Sequence, residues 1–434
     1  MPLKFHDCSY PWTTMCLYPD NNGCFAPCCH FYPPDFTFPF IFSKNCSIAE
    51  AWNSTDIIKL RESIAENSIK FERCINCVTL STENDFGINP EVAASDQNFL
   101  MPLSMSQQEN LISTAKHFYS RDSKITSVPI SYLIRFGYKC NLRCIMCNHE
   151  SYDNEKSPGE LDFNWFEKEL DTLKKAYIIA VTGGEPFFMD SSRSFISWFL
   201  KKEELRSVQL EICTNAMLLK PFIPQFKNYK VGLDISLDSY GKYYELIRKG
   251  ASWSIVSDNI DEFLLSQAGS IPNQQLVKIH CTITRTGLPG LPDLVNWAMD
   301  RGIGMNFVLM ENWIYEATFQ NLHQTPAYLL EIPNWEKYFD DAILRLEKDS
   351  PDKYAAEQLL ILKNTIIDSC KTHINLIDNQ KRIDIINEKK KLEINASLGK
   401  KVAMLLIKIV KCLLPYVFVR IIQKYQVKIL QKRG

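Results

Sequence analysis

Six short apolar, β-rich runs recur through the middle of the chain, at 130–136, 177–181, 208–213, 231–235, 277–283 and 305–310, with helix-length segments between them. This alternation predicts parallel βαβ units. Six such units predict an α/β fold built on a partial (β/α)6 TIM-like barrel. Chemistry in barrels of this kind gathers at the carboxyl ends of the strands. Upstream, two short apolar runs flank Asp20-Asn21-Asn22-Gly23, a hairpin signal, and a helix capped by Ser54 or Thr55 is expected at 55–66.

The pattern divides the chain into five parts. Residues 1–78 form a small cysteine-rich domain. Residues 79–128, polar except for an amphipathic stretch at 111–118, read as a linker that lays that domain beside the barrel. The barrel occupies 129–312. Residues 313–393 form a helical extension, with helices expected at 335–348, 353–372 and 383–392. The tail, 394–434, holds nine Lys or Arg and no acidic residue. Its charges recur at helical spacing on either side of Pro415, which reads as two basic amphipathic helices lying on an anionic membrane surface. An ordinary docking helix pair or a protein-partner site is the plainer reading of the same pattern.

Composition narrows the function. With 434 residues and a net charge of -1, the chain has no overall attraction to nucleic acid. Fifteen cysteines are present: eight precede residue 78, three lie in 140–147, and Cys213, Cys281, Cys370 and Cys412 are scattered. The first seven residues carry no apolar signal core. A cytoplasmic location follows, on the inner face of the membrane if the tail binds there, with thiols reduced and available for metal.

The central candidates are Cys140, Cys144 and Cys147, spaced CxxxCxxC directly after the first strand run. Three thiolates from one loop fit a 4Fe-4S cluster whose fourth iron keeps no protein ligand. A zinc site completed from the neighbouring Asn148-His149 is the competing reading. About thirty residues on, a strand runs into Thr182-Gly183-Gly184-Glu185-Pro186. The glycines allow close backbone approach to a ligand, and Glu185 can answer an ammonium. Asn215 and Ser236 also fall at strand carboxyl ends. Each short motif alone is more often a turn; their order together is what informs.

That order resembles the radical S-adenosylmethionine (SAM) superfamily. The resemblance implies a 4Fe-4S cluster on Cys140, Cys144 and Cys147, chelated at its open iron by SAM. It implies that Gly183, Gly184 and Glu185 hold the SAM amino group, that Arg248 clamps its carboxylate, and that Ser236 or Asp238 meets its ribose. Met146 stands where many members carry an aromatic residue. One electron, from a donor such as flavodoxin or ferredoxin, would then cleave SAM to methionine and a 5'-deoxyadenosyl radical that takes hydrogen from a substrate.

In the N-terminal region, Cys74-x-x-Cys77 with Cys8 and Cys28 suffices for a four-thiolate site. Together with Pro11-Trp12, Gly23 and Ala51-Trp52-Asn53-Ser54, these residues resemble the SPASM or twitch auxiliary domain, here placed before the barrel. The resemblance implies a second 4Fe-4S cluster on Cys8, Cys28, Cys74 and Cys77. The choice between Cys28 and Cys29 stays open, as does zinc in place of iron-sulfur. Two substrate classes fit: a peptide or protein side chain, and a glycan or lipid-linked intermediate. A reading from another class is a non-catalytic zinc-binding scaffold.

Overall fold

The computed structural model describes residues 8–20, 23–28, 46–68, 74, 89–147, 159–267, 276–310, 320–325, 329, 332–350 and 353–374. Strands follow in chain order: β1 Thr14–Tyr18, β2 Cys24–Ala26, β3 Ser131–Arg135, β4 Arg143–Cys144, β5 Ile178–Thr182, β6 Gln209–Thr214, β7 Lys230–Ser236, β8 Arg248–Lys249, β9 Val277–Ile283 and β10 Gly304–Leu309. Eight of them make one sheet in the order β10-β9-β7-β6-β5-β3-β1-β2. From β3 to β10 the pairings are parallel between neighbours in sequence, which is the six-unit β/α arrangement.

Strand alternation explains how the sheet is used. One face carries Ile179 and Val181 of β5, Leu210 and Ile212 of β6, Leu233 and Ile235 of β7, and Ile279 of β9, all fully buried. Each such side chain removed from water contributes roughly 1.5–3 kcal/mol, so this face carries the core. The alternating positions are half-buried and mostly polar: Thr182, Glu211, Cys213, Ser236, His280, Thr282 and Asn306. Strands buried on both faces would read as unbroken apolar runs. Here the inner face opens to water, so polar residues are tolerated along it.

The N-terminal segment is built into this sheet. β1 lies parallel to β3, with Thr14 opposite Ser131 and Leu17 opposite Ile134. β2 returns antiparallel, with Tyr18 opposite Cys24, around the turn that contains Asp20 and Gly23. Helix Thr55–Ala65 packs behind it. Its buried Arg61 donates from Nε to the Pro11 carbonyl at 2.8 Å and from Nη1 to the Ser123 carbonyl at 3.0 Å. Arg61 also stacks over the Trp52 ring at 4.7 Å.

Between this segment and β3, a helix spans Met105–Ser120, closed at its start by a Ser104/Gln107 capping box. Its buried polar residues meet loop backbone: Asn110 donates to the Val128 carbonyl and accepts from the Val128 N–H, both at 3.0 Å. Helices Trp335–Asp349 and Lys353–Ile374 follow the barrel. Among the described residues, no helix is long and apolar enough to cross a membrane. The helix expected at 383–392 and the basic tail at 394–434 lie outside the described residues.

Candidate functional site

The cysteine loop leaves β3 through Phe136, Gly137 and Tyr138 and is held from three directions. From β5, the Gly184 N–H donates to the Gly137 carbonyl at 3.0 Å and the Glu185 N–H to the Lys139 carbonyl at 2.9 Å. A Cβ on Gly184 would stand 2.0 Å from the Lys139 oxygen and 2.4 Å from the Tyr138 oxygen. Glycine is therefore required here for contact between two protein loops. From the N-terminal hairpin, Asp20 accepts from the Tyr138 hydroxyl at 2.7 Å. From the far side of the barrel, β8 pairs antiparallel with β4, placing Cys144 opposite Arg248. The Ile145 N–H extends this clip to the Ile247 carbonyl at 2.9 Å.

The three cysteines share one environment. Burial pushes the Cys140 thiol up to about 12; the Leu142 N–H acts against this, while Glu185, Cys144 and Cys147 add to it. Burial likewise takes Cys144 up to about 11, opposed by Arg248 and reinforced by Asp238 and Cys147. Donors point at the sulfurs: the Leu142 N–H to Cys140 Sγ at 3.4 Å, Asn215 Nδ2 to Cys140 Sγ at 3.8 Å, and Arg248 Nη1 to Cys144 Sγ at 3.8 Å. Among the described residues, no three His, Cys, Asp or Glu side chains converge to hold a single metal ion. A cluster takes one thiolate per iron and so asks for a wider triangle than one ion does.

Glu185 is fully buried and answers protein donors. Its carboxylate accepts from Thr214 Oγ1 at 2.7 Å, the Asn215 N–H at 2.8 Å and the Phe187 N–H at 3.1 Å. Burial raises its pKa, and these three donors act against the rise. The result is a lock between the ends of β5 and β6 that sets Asn215. The Asn215 amide then donates to Asn141 Oδ1 inside the cysteine loop at 2.9 Å.

Asp238 and Arg248 form a buried pair. Arg248 Nε donates to Asp238 Oδ2 at 2.7 Å, and the Thr282 N–H donates to Asp238 Oδ1 at 3.0 Å. Burial disfavours the guanidinium charge, but Asp238, Cys144 and Tyr244 together hold its pKa well above the ordinary arginine value. Ser236, half-buried at the end of β7, stands in register with His280. Gly183, with φ +132, lies against the Gly137 carbonyl. Cys140, Cys144, Cys147, Gly183, Gly184, Glu185, Asn215, Asp238 and Arg248 thus fall into one connected neighbourhood at the strand ends.

Several participants carry no motif of their own. Asn141 and Thr214 sit beside the residues that do. Tyr244 lies four positions before Arg248, one helical turn away. Its hydroxyl is buried and has no hydrogen-bond partner among the described residues. Arg248, Asp238, Cys144 and Glu185 all act on it electrostatically. A buried hydroxyl without a partner, within electrostatic reach of Cys144 and a buried arginine, fits a bound group with acceptor atoms. The donor set thus suits an iron-sulfur cluster with a polar ligand beside it.

Of the N-terminal cysteines, Cys28 is buried and Cys8 and Cys74 are half-buried. Cys74 packs against the main core. Cys77 and Cys29 lie outside the described residues.

Residues 134–293 match the model of the Radical SAM superfamily. A "Probable GTP 3',8-cyclase" of Methanococcus maripaludis is 26% identical over 170 residues, covering 38% of this chain. The match spans about half the length of that relative, 54%. Among solved structures, SuiB of Streptococcus suis bound to the precursor peptide SuiA matches with a TM-score of 0.40 at 16% identity, covering 67% of this chain and 59% of that one. SuiB bound to S-adenosylmethionine matches at the same score and identity, covering 69% and 60%. The CxxxCxxC loop lies inside the matched segment, at the carboxyl end of the first barrel strand, so residues 134–293 carry a radical SAM superfamily domain.

Proposed function

We propose that this protein is a radical SAM enzyme that binds a 4Fe-4S cluster through Cys140, Cys144 and Cys147 and abstracts hydrogen from a polar substrate. The observation that carries the reading is the loop itself: three thiols held by contacts from β5, β8 and the N-terminal hairpin, with side-chain donors supplied by Asn215 and Arg248. When bound, the cluster and SAM supply one-electron cleavage to methionine and a 5'-deoxyadenosyl radical.

The chain's own residues do the remaining work. Gly183 and Gly184 bring the β5 loop against the cysteine loop, and Glu185 fixes Asn215 there. Tyr244 offers a hydroxyl to the bound group. Beneath the site, the half-open inner face presents Arg135, Glu211, Asp234 and His280, where a substrate's polar groups would be read. His280 Nε2 lies 3.3 Å from Asp234 Oδ1. Gly232 leaves the room that the Glu211 carboxylate fills, since a Cβ there would stand 2.2 Å from it. Cys8, Cys28, Cys74 and Cys77 would hold a second cluster, with a small electron-transfer protein as the donor to the first.

The test is anaerobic reconstitution of the full chain with iron and sulfide, followed by SAM and dithionite. About four irons per chain for this site, about eight with an auxiliary cluster, and dithionite-dependent 5'-deoxyadenosine are expected. Replacing Cys140, Cys144 or Cys147 with Ala should abolish the product. That loss should exceed the roughly 10–100-fold that removing a supporting partner of a metal ligand costs. Tightly bound zinc with no SAM cleavage would reject the reading.

A further inference from the structure

Arg248 is held by two independent constraints, and neither leaves it free to follow a ligand. Its backbone is fixed by the β4–β8 ladder, where Arg248 pairs with Cys144. Its guanidinium is fixed by Asp238, which accepts from Nε at 2.7 Å. Asp238 is itself tethered through the Thr282 N–H at 3.0 Å, and its side chain is fully buried. What remains of the fork points at the loop, with Nη1 3.8 Å from Cys144 Sγ. A permanent positive charge is thus aimed at one sulfur of the CxxxCxxC loop in a water-poor setting, where charge acts more strongly than in solvent.

Charge and hydrogen bonds at the ligating sulfurs are among the factors that set the reduction potential of an iron-sulfur cluster. Adding an electron makes the cluster more negative, so a buried cation beside a ligating sulfur favours the reduced form. We propose that Arg248, oriented by Asp238, raises the reduction potential of the cluster on Cys140, Cys144 and Cys147 by donating to the Cys144 sulfur. This assigns Arg248 as a positioning residue toward the cluster in place of a clamp on a ligand carboxylate. It rests on the proposed cluster ligation, and its test separates the two.

The experiment is a dithionite titration of the reconstituted full chain with redox mediators, read by electron paramagnetic resonance, each sample also assayed for iron and sulfide. One electron enters the cluster as dithionite is oxidised. A variant with Cys140, Cys144 and Cys147 all replaced by Ala supplies the background from any other cluster. Arg248→Gln is expected to load the same iron as wild type. At a potential fixed at the wild-type midpoint, its ratio of reduced to oxidised cluster should fall about tenfold, equivalent to about 59 mV for a one-electron couple. Arg248→Lys keeps the charge without the fork and should recover part of that shift.

Since Arg248→Gln leaves Asp238 as an uncompensated buried charge, the double variant Arg248→Gln/Asp238→Asn removes both charges and guards against simple misfolding. It should still titrate below wild type, because the lost cation donates to the sulfur and acts on Cys144 more strongly than the lost anion. Normal iron with an unshifted or raised midpoint in both variants overturns the proposal. So does an unshifted midpoint coupled to loss of the SAM-induced change in the cluster spectrum, which would make Arg248 a ligand clamp. Failure of the wild type to load iron would instead remove the cluster reading itself.

Discussion

The two faces of the barrel sheet obey different rules, although they alternate residue by residue along the same strands. Ile212 and Cys213 are neighbours in β6, yet the first is sealed in the core and the second stands on the inner, half-open face. The outer face is uniform because every side chain there has the same task of excluding water. The inner face mixes Arg135, Thr182, Glu211, Asp234 and His280, whose value lies in what they can bond. Stability and chemistry are thus separated by one step of backbone, so substitutions at adjacent positions should have unlike consequences.

The sharpest way to break this comparison is to truncate both neighbours. Ile212→Ala should cost about 2–5 kcal/mol in chemical denaturation. Cys213→Ala should cost less than about 1 kcal/mol in the same measurement. Equal losses would mean that the inner face is packed as tightly as the outer.

A smaller effect is expected where the two faces meet at the strand ends. Glu185→Gln sets an amide N–H against one of the donors from Thr214, Asn215 and Phe187, a mismatch worth about 1–3 kcal/mol. Because Asn215 is then displaced from the cysteine loop, cluster loading measured by bound iron should fall with stability. Unchanged iron content would disconnect the lock from the loop.

The smallest effect concerns the inner face alone. Burial, with Asp234 adding to it, raises the Glu211 carboxyl from 4.5 to about 8. The folded protein therefore holds a proton that the unfolded chain has released between those values. The associated stability is full below about pH 4.5 and is lost as pH rises through about 8. The melting temperature should fall across that window, and Glu211→Gln, which mimics the protonated acid, should flatten the fall. An identical slope in the variant would assign the dependence to other groups.

Much of this architecture is legible in the chain. The six barrel strands lie within one residue, at either end, of the apolar runs that predict them, because β-rich runs bounded by breakers leave little freedom. The hairpin is equally direct, since Asp20 and Gly23 sit where the turn needs them. Helix Met105–Ser120 is harder to see. Its packed face includes Gln107, Asn110 and Thr114, which bury polar groups that an apolar periodicity does not register.

At the site, the cysteines and the Gly-Gly-Glu stretch announce themselves, while their mutual roles do not. Gly184 makes its closest approach to the Tyr138 and Lys139 carbonyls, and Glu185 is taken up by Thr214 and Asn215. Asp238 and Arg248, read from sequence as separate contacts to a ribose and a carboxylate, are joined to each other. Pairings of this kind depend on which loops the barrel brings together, and no local spacing encodes them. The placement of β1 against β3 is hidden for the same reason.

That placement has a consequence for how the protein comes into being. Asp20 and Tyr138 are 118 residues apart in sequence. At a synthesis rate of about 5–20 residues per second, the early hairpin must wait on the order of ten seconds for the strand it joins. Its edge stays unpaired over that interval, and the closing contact is a long-range one of the kind that forms slowly. The cysteine loop therefore gains its buttress at Tyr138 only once the two ends of this span have met.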